Sequence, residues 1–121
     1  MQVIYFADTR FPIERANGVQ TFETCYALAR RGHDVTLLVR PDSAVPPRDP
    51  FAFYGRAPEP RLRIEPVVVR GPACARRLRF LLAALRAATS ARDAAVFTRD
   101  LGVAAWLLQL PKSRRPAVVY E

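Results

Sequence analysis

QVIYFA at Gln2–Ala7, NGV at Asn17–Val19 and VTLLV at Val35–Val39 are the three segments that decide the fold. The first and last are short apolar runs rich in β-branched and aromatic residues, the composition of strands buried on both faces. Between them, NGV opens an amphipathic helix that runs to about Arg31. Gly32-His33-Asp34 closes it. Strand, glycine turn, helix and strand in that order make a βαβ unit, because parallel strands need a crossover connection. An anionic ligand would sit at the glycine turn, where helix N–H groups point outward.

Further along, Pro41–Pro60 carries six prolines with Phe51, Phe53 and Tyr54 among them, and reads as a long loop without regular helix or central strand. Its aromatics either cover a ligand or pin the loop to the body. Leu62–Val69 reads as a third strand, with Pro66 marking an edge or a bulge. Ala73–Thr89 reads as a helix, with Leu78, Leu81, Leu82 and Leu85 on one face. A fourth strand follows at Ala94–Thr98, then an apolar helix at Leu101–Leu110 capped by Asp100, and a fifth strand at Ala117–Tyr120. Alternation of this kind predicts an α/β domain of Rossmann-like type: a parallel sheet in the order 3-2-1-4-5 with helices on both faces. The chain stops at the tip of a strand, so it is expected to be the front part of a longer protein.

With 121 residues the chain is one domain or part of one. Its formal charge is +8. A basic balance suits anionic partners. Here Lys112 is the sole lysine, the arginines are scattered and no nucleic-acid motif is present, so a nucleic-acid partner is not expected. Cys25 and Cys74 lack metal spacing and His33 is the only histidine, which argues against a metal site and for free buried thiols. No signal peptide or membrane-spanning run is read. The Ala73–Thr89 helix places Arg76, Arg79 and Arg86 opposite its leucines, with Phe80 projecting near Arg76. Such a face is either solvated or laid on an anionic membrane.

Ligands of open parallel sheets bind at the carboxyl ends of the strands, where strand order reverses. That point lies between the first and fourth strands, where Asp8–Gly18 and Thr98-Arg99-Asp100 converge. Asn17 and Gln20 also fit a plain capping box, so Asn17-Gly18-Val19 is at once a helix start and a candidate binding segment. The fingerprint GxGxxG is absent, which counts against NAD or FAD. Arg99 would grip a phosphate or carboxylate, or pair with Asp100 or Asp8. Arg10 and Arg15 invite the same two readings. His33 lies at the wrong end of the sheet for catalysis. Glu121 ends the fifth strand at the correct edge. The candidate binding residues are therefore Asn17, Gly18, Val19, Arg99 and Glu121. None is assigned as catalytic.

Asn17-Gly18-Val19, the run from Ala27 to Val35 (ALARRGHDV), Phe97-Thr98-Arg99-Asp100 and Val119-Tyr120-Glu121 together resemble the N-terminal domain of retaining GT-B glycosyltransferases of family 4. The family often has two glycines in the first turn, where this chain has Asn17 and Gly18. The resemblance implies a cytoplasmic enzyme that moves a sugar from a nucleotide-sugar to a glycan or lipid-linked acceptor; membrane contact by the basic face of the Ala73–Thr89 helix would set it at the inner face of the membrane. It further implies that this domain holds the acceptor, that the donor domain with its paired glutamates lies beyond Glu121, and that no metal or other cofactor is required. The chain alone is not expected to catalyse transfer. The competing reading is a non-catalytic nucleotide-binding or regulatory module of the same fold.

Overall fold

The computed structural model describes residues 1–91 and 93–121. Five strands form one sheet: β1 (Gln2–Arg10), β2 (Asp34–Arg40), β3 (Leu62–Pro66), β4 (Ala95–Thr98) and β5 (Ala117–Tyr120). Their order is β3-β2-β1-β4-β5 and every pairing is parallel, as the alternation of strands and helices predicts. The helices are α1 (Ala16–Arg30), α2 (Pro50–Phe53), α3 (Ala73–Ser90) and α4 (Leu101–Leu108). Among the described residues, no helix is long and apolar enough to cross a membrane.

Side-chain alternation along the strands separates two cores. Val3 and Tyr5 of β1, with Val35, Leu37 and Val39 of β2, pack against Phe22, Cys25, Tyr26 and Ala29 of α1. Ile4 and Phe6, with Leu38 and Val96, pack against Phe80, Leu81, Ala84 and Ala88 of α3 and Val103 and Leu107 of α4. Each central strand is thus buried on both faces, which is why its sequence runs apolar without alternation. Gly32, at φ +96°, takes the left-handed conformation that closes α1.

Several details depart from the sequence reading. Within the proline-rich stretch, Pro50–Phe53 forms a short helix. Pro50 sits at its start, where a missing N–H costs nothing, and Asp49 accepts the Phe51 N–H at 3.1 Å. Of the two roles offered for the aromatics, pinning holds for Phe51 and Tyr54. The Tyr54 ring stacks on Phe22 with centroids 4.6 Å apart, and Phe51 meets Phe22 edge-on. The Tyr54 hydroxyl donates to the Ile13 carbonyl at 2.7 Å and accepts the Ile13 N–H at 2.9 Å. β3 ends at Pro66 rather than Val69, at the sheet edge that a proline suits.

The largest correction concerns α3. Its buried face is Phe80, Leu81, Ala84 and Ala88, whereas Leu78 and Leu82 stay exposed. The alanines let the helix lie close to the sheet, and the longer leucines are turned to its flank. Phe80 is in the core rather than projecting beside Arg76. Arg76, Arg79 and Arg86 do lie on the exposed side. Cys25 is buried as expected, and burial pushes its thiol up. Cys74 is exposed, contrary to the expectation of a buried thiol.

Candidate functional site

The carboxyl ends of β1 and β4 open into a crevice of about 320 Å³ walled by Tyr5–Thr9, Asn17, Thr21, Arg99 and Asp100. The turn after β4 is shaped from inside. Buried Thr98 donates its hydroxyl to the Phe6 carbonyl at 3.0 Å and accepts the Asp100 N–H at 3.0 Å. That turn sends Arg99 outward and places Asp100 as the cap of α4. One Asp100 oxygen accepts the N–H groups of Gly102 and Val103 at 2.9 and 3.2 Å, the capping expected from the sequence.

Beneath the crevice lies a chain of alternating charges that the sequence reading missed. Asp8 follows Ile4 and Phe6 on the α3 side of β1, and Arg40 follows Leu38 on the same side of β2. Arg77 precedes Leu81 and Ala84 by one and two turns and so falls on the buried face of α3. Asp8 pairs with both Arg40 and Arg77. Arg77 also makes a two-toothed pair with Asp100, both contacts at 2.6 Å. The available signal was an arginine spaced i, i+4, i+7 and i+11 with Leu81, Ala84 and Ala88. Gly102 belongs to the same arrangement, because a Cβ there would come within 2.4 Å of an Arg77 nitrogen.

Asp100 is held below its ordinary carboxylate range, first by its hydrogen bonds from Arg77 and then by the N–H groups of the helix start, against the opposing effect of burial. A folded-state value below the unfolded one contributes stability that is present above the unfolded value, about 4, and is lost as pH falls through the folded value. Thermal melts over that acid range are therefore expected to fall less steeply for Arg77→Met than for the unsubstituted chain. Equal slopes would show that Arg77 does not hold Asp100.

Of the five candidate residues, three are brought together. Asn17 and Arg99 wall the crevice, and Arg99 also walls an adjoining open hollow with Gln20, Glu23, Thr24 and Glu121. Arg99 donates to the side-chain oxygen of Gln20 rather than to Asp8 or Asp100, both of which are taken by Arg77. Glu121 accepts the buried Tyr5 hydroxyl at 3.0 Å, and its own N–H donates to the Thr98 carbonyl at 3.0 Å. Burial, and next the Glu121 carboxylate, push the Tyr5 phenol up, so Tyr5 stays a donor.

Gly18 and Val19 are not among the crevice walls. The helix starts at Ala16, with Arg15 in the cap position and no side-chain cap, so the expected capping box at Asn17 does not form. Asn17 instead accepts the Gly18 N–H at 2.8 Å. The N–H groups of Gly18 and Val19 also reach the Arg15 carbonyl at 3.0 and 3.1 Å, so neither is free for an anion. Gly18 is buried against Ile13 and Tyr54, and the absence of a side chain there makes room for the loop after β1. His33 lies at the opposite, amino end of the sheet, just before Asp34, where β2 begins. No metal-ligating cluster occurs among the described residues.

The fold and the crevice define a class: a doubly wound parallel α/β domain with a polar opening beside the point where strand order reverses. Comparison with protein-family models, with curated proteins and with solved structures finds no match in any of the three.

Proposed function

We propose that the chain is the acceptor-side domain of a glycosyltransferase that moves a sugar from a nucleotide-sugar to a glycan or lipid-linked acceptor. The observation that carries this reading is the crevice between β1 and β4, where Asn17, Thr21 and Arg99 converge at the carboxyl ends of the sheet. Those groups are hydrogen-bond donors and acceptors suited to sugar hydroxyls. Arg99 adds a cation with no carboxylate partner among the described residues. Beside it, Glu121 offers an acceptor fixed by Tyr5. The reading places the donor domain beyond Glu121 and the reaction in the cleft between the two domains. The arginines on the outer side of α3 support a peripheral contact with an anionic cytoplasmic membrane face, where such acceptors are lipid-linked.

The test is transfer by the product of the whole gene, supplied with a panel of UDP-, GDP- and ADP-sugars and read as nucleotide release. Arg99→Ala is expected to raise the acceptor KM about tenfold with a smaller change in kcat, the pattern of a lost binding contact. Absence of nucleotide release with every donor would sink the transferase reading. Tight nucleotide binding by the 121-residue chain alone would favour the regulatory-module reading instead.

A further inference from the structure

On the β2 side of Asp8 a second and larger hollow opens, of about 580 Å³, lined by Arg10, Arg40, Ser43 and Arg76 with Val69 at its apolar wall. It meets the crevice at Asp8 and Thr9, which wall both. Three segments supply its cations: Arg10 from the end of β1, Arg40 from the end of β2 and Arg76 from the first turn of α3.

The charge balance around it is uneven. Two carboxylates, Asp8 and Asp42, also line the hollow, and both are already taken. Asp8 pairs with Arg40 and Arg77. Asp42 accepts from the Arg48 side chain at 2.8 and 2.9 Å and from its N–H at 2.9 Å. The Arg48 hydrogen bonds hold Asp42 well below the usual carboxylate range, so it stays ionised and occupied. Arg10 and Arg76, in contrast, form no ion pair with any described residue. Two unpaired guanidinium groups and the Ser43 hydroxyl therefore face one open space, with Arg40 held in place by Asp8. Guanidinium groups converging from separate elements suit the tetrahedral oxygens of a phosphate, which accept several charge-assisted hydrogen bonds at once.

We propose that this hollow holds a phosphate group of the acceptor, gripped by Arg10, Arg40 and Arg76. Only the identity of the molecule that bears the phosphate rests on the transferase reading. Binding of the anion is a property of the hollow itself. The site lies across Asp8 from the crevice, so an acceptor would lay its phosphate in the hollow and its sugar hydroxyls toward Arg99.

The experiment is titration of the chain with inorganic pyrophosphate at constant ionic strength, followed by calorimetry and by amide chemical shifts. Shifts are expected at Arg10, Ser43 and Arg76. The double variant R10Q/R76Q is expected to bind about tenfold more weakly or worse, having lost two charge-assisted contacts. The equally charged control R30Q/R114Q, altered on other exposed surfaces, is expected to bind as the unsubstituted chain does. Equal weakening in both variants would show a general charge effect and overturn the proposal. So would an unsubstituted chain whose shifts at these residues stay still at millimolar pyrophosphate, a result that does not depend on how any variant folds. UDP and GDP form the second arm. Affinity no better than that of pyrophosphate supports an acceptor phosphate, whereas Arg10- and Arg76-dependent binding tighter than pyrophosphate would assign the hollow to the donor and overturn the acceptor assignment. These outcomes are separate from the nucleotide-release assay, so the hollow can stand where the transferase reading fails.

Discussion

Asp8→Asn is expected to cost about 2–4 kcal/mol of folding stability, somewhat less than breaking a fully buried pair because Arg40 and Arg77 are themselves partly exposed. The Asp8 side chain is only 5 % exposed and is the acceptor shared by Arg40 and Arg77. An amide retains one acceptor oxygen but turns its NH₂ toward a guanidinium, leaving a cation without its counter-charge. The damage would spread to the crevice floor, because Arg77 is the group that braces Asp100 and hence the turn carrying Arg99. Denaturant unfolding at neutral pH, with an unchanged m-value, measures it. A loss below about 0.5 kcal/mol would show that water screens the network as it screens surface pairs.

The second large effect falls at Gly18. An added Cβ would lie 2.4 Å from the Ile13 side chain and 2.8 Å from the Ile13 carbonyl oxygen, with the Tyr54 hydroxyl at 3.1 Å. The backbone atom cannot swing aside, and Ile13 is itself held by the Tyr54 hydroxyl on both its N–H and its carbonyl. Gly18→Ala is therefore expected to destabilise by about 2–3 kcal/mol, as overpacking of a filled site does, despite the better helix propensity of alanine. The melting temperature would fall on the order of 10 °C. A neutral or stabilising result would mean that the loop after β1 moves freely, and the packing account of Gly18 would fail. Gly102 offers the contrast. Its crowding atom is the far end of the Arg77 side chain, which can move, so the same substitution there is the milder one.

Both residues bear on how the crevice is built. Gly18 invited a ligand-binding reading because a glycine at a helix start lets a phosphate approach. Its actual neighbours are Ile13 and Tyr54, more than thirty residues apart in sequence. Arg99 walls the crevice, as its place directly after a buried strand predicts. Its partner was not legible. Asp8 and Asp100 were both available in principle, and Arg77 takes both because α3 delivers it from the inner side. Strand position alone puts Glu121 at the carboxyl edge of the sheet, while its bond from Tyr5 depends on β1 and β5 flanking β4.

The strands and their parallel pairing are legible in the chain, because strands buried on both faces must be apolar throughout and helices between them make crossovers of one hand, and Pro66 marks β3 as an edge of the order found. The Asp100 cap is legible too, a local matter of one side chain and the N–H groups two and three residues on. Which face of α3 is buried, where α1 begins and which charges meet depend on contacts between distant segments. Leu78 and Leu82 are more hydrophobic than Ala84 and Ala88, yet the alanines face the sheet. A helix packed on a sheet face is oriented by how closely it can approach and by the carboxylates at the strand ends beneath it, and those belong to segments distant in the chain.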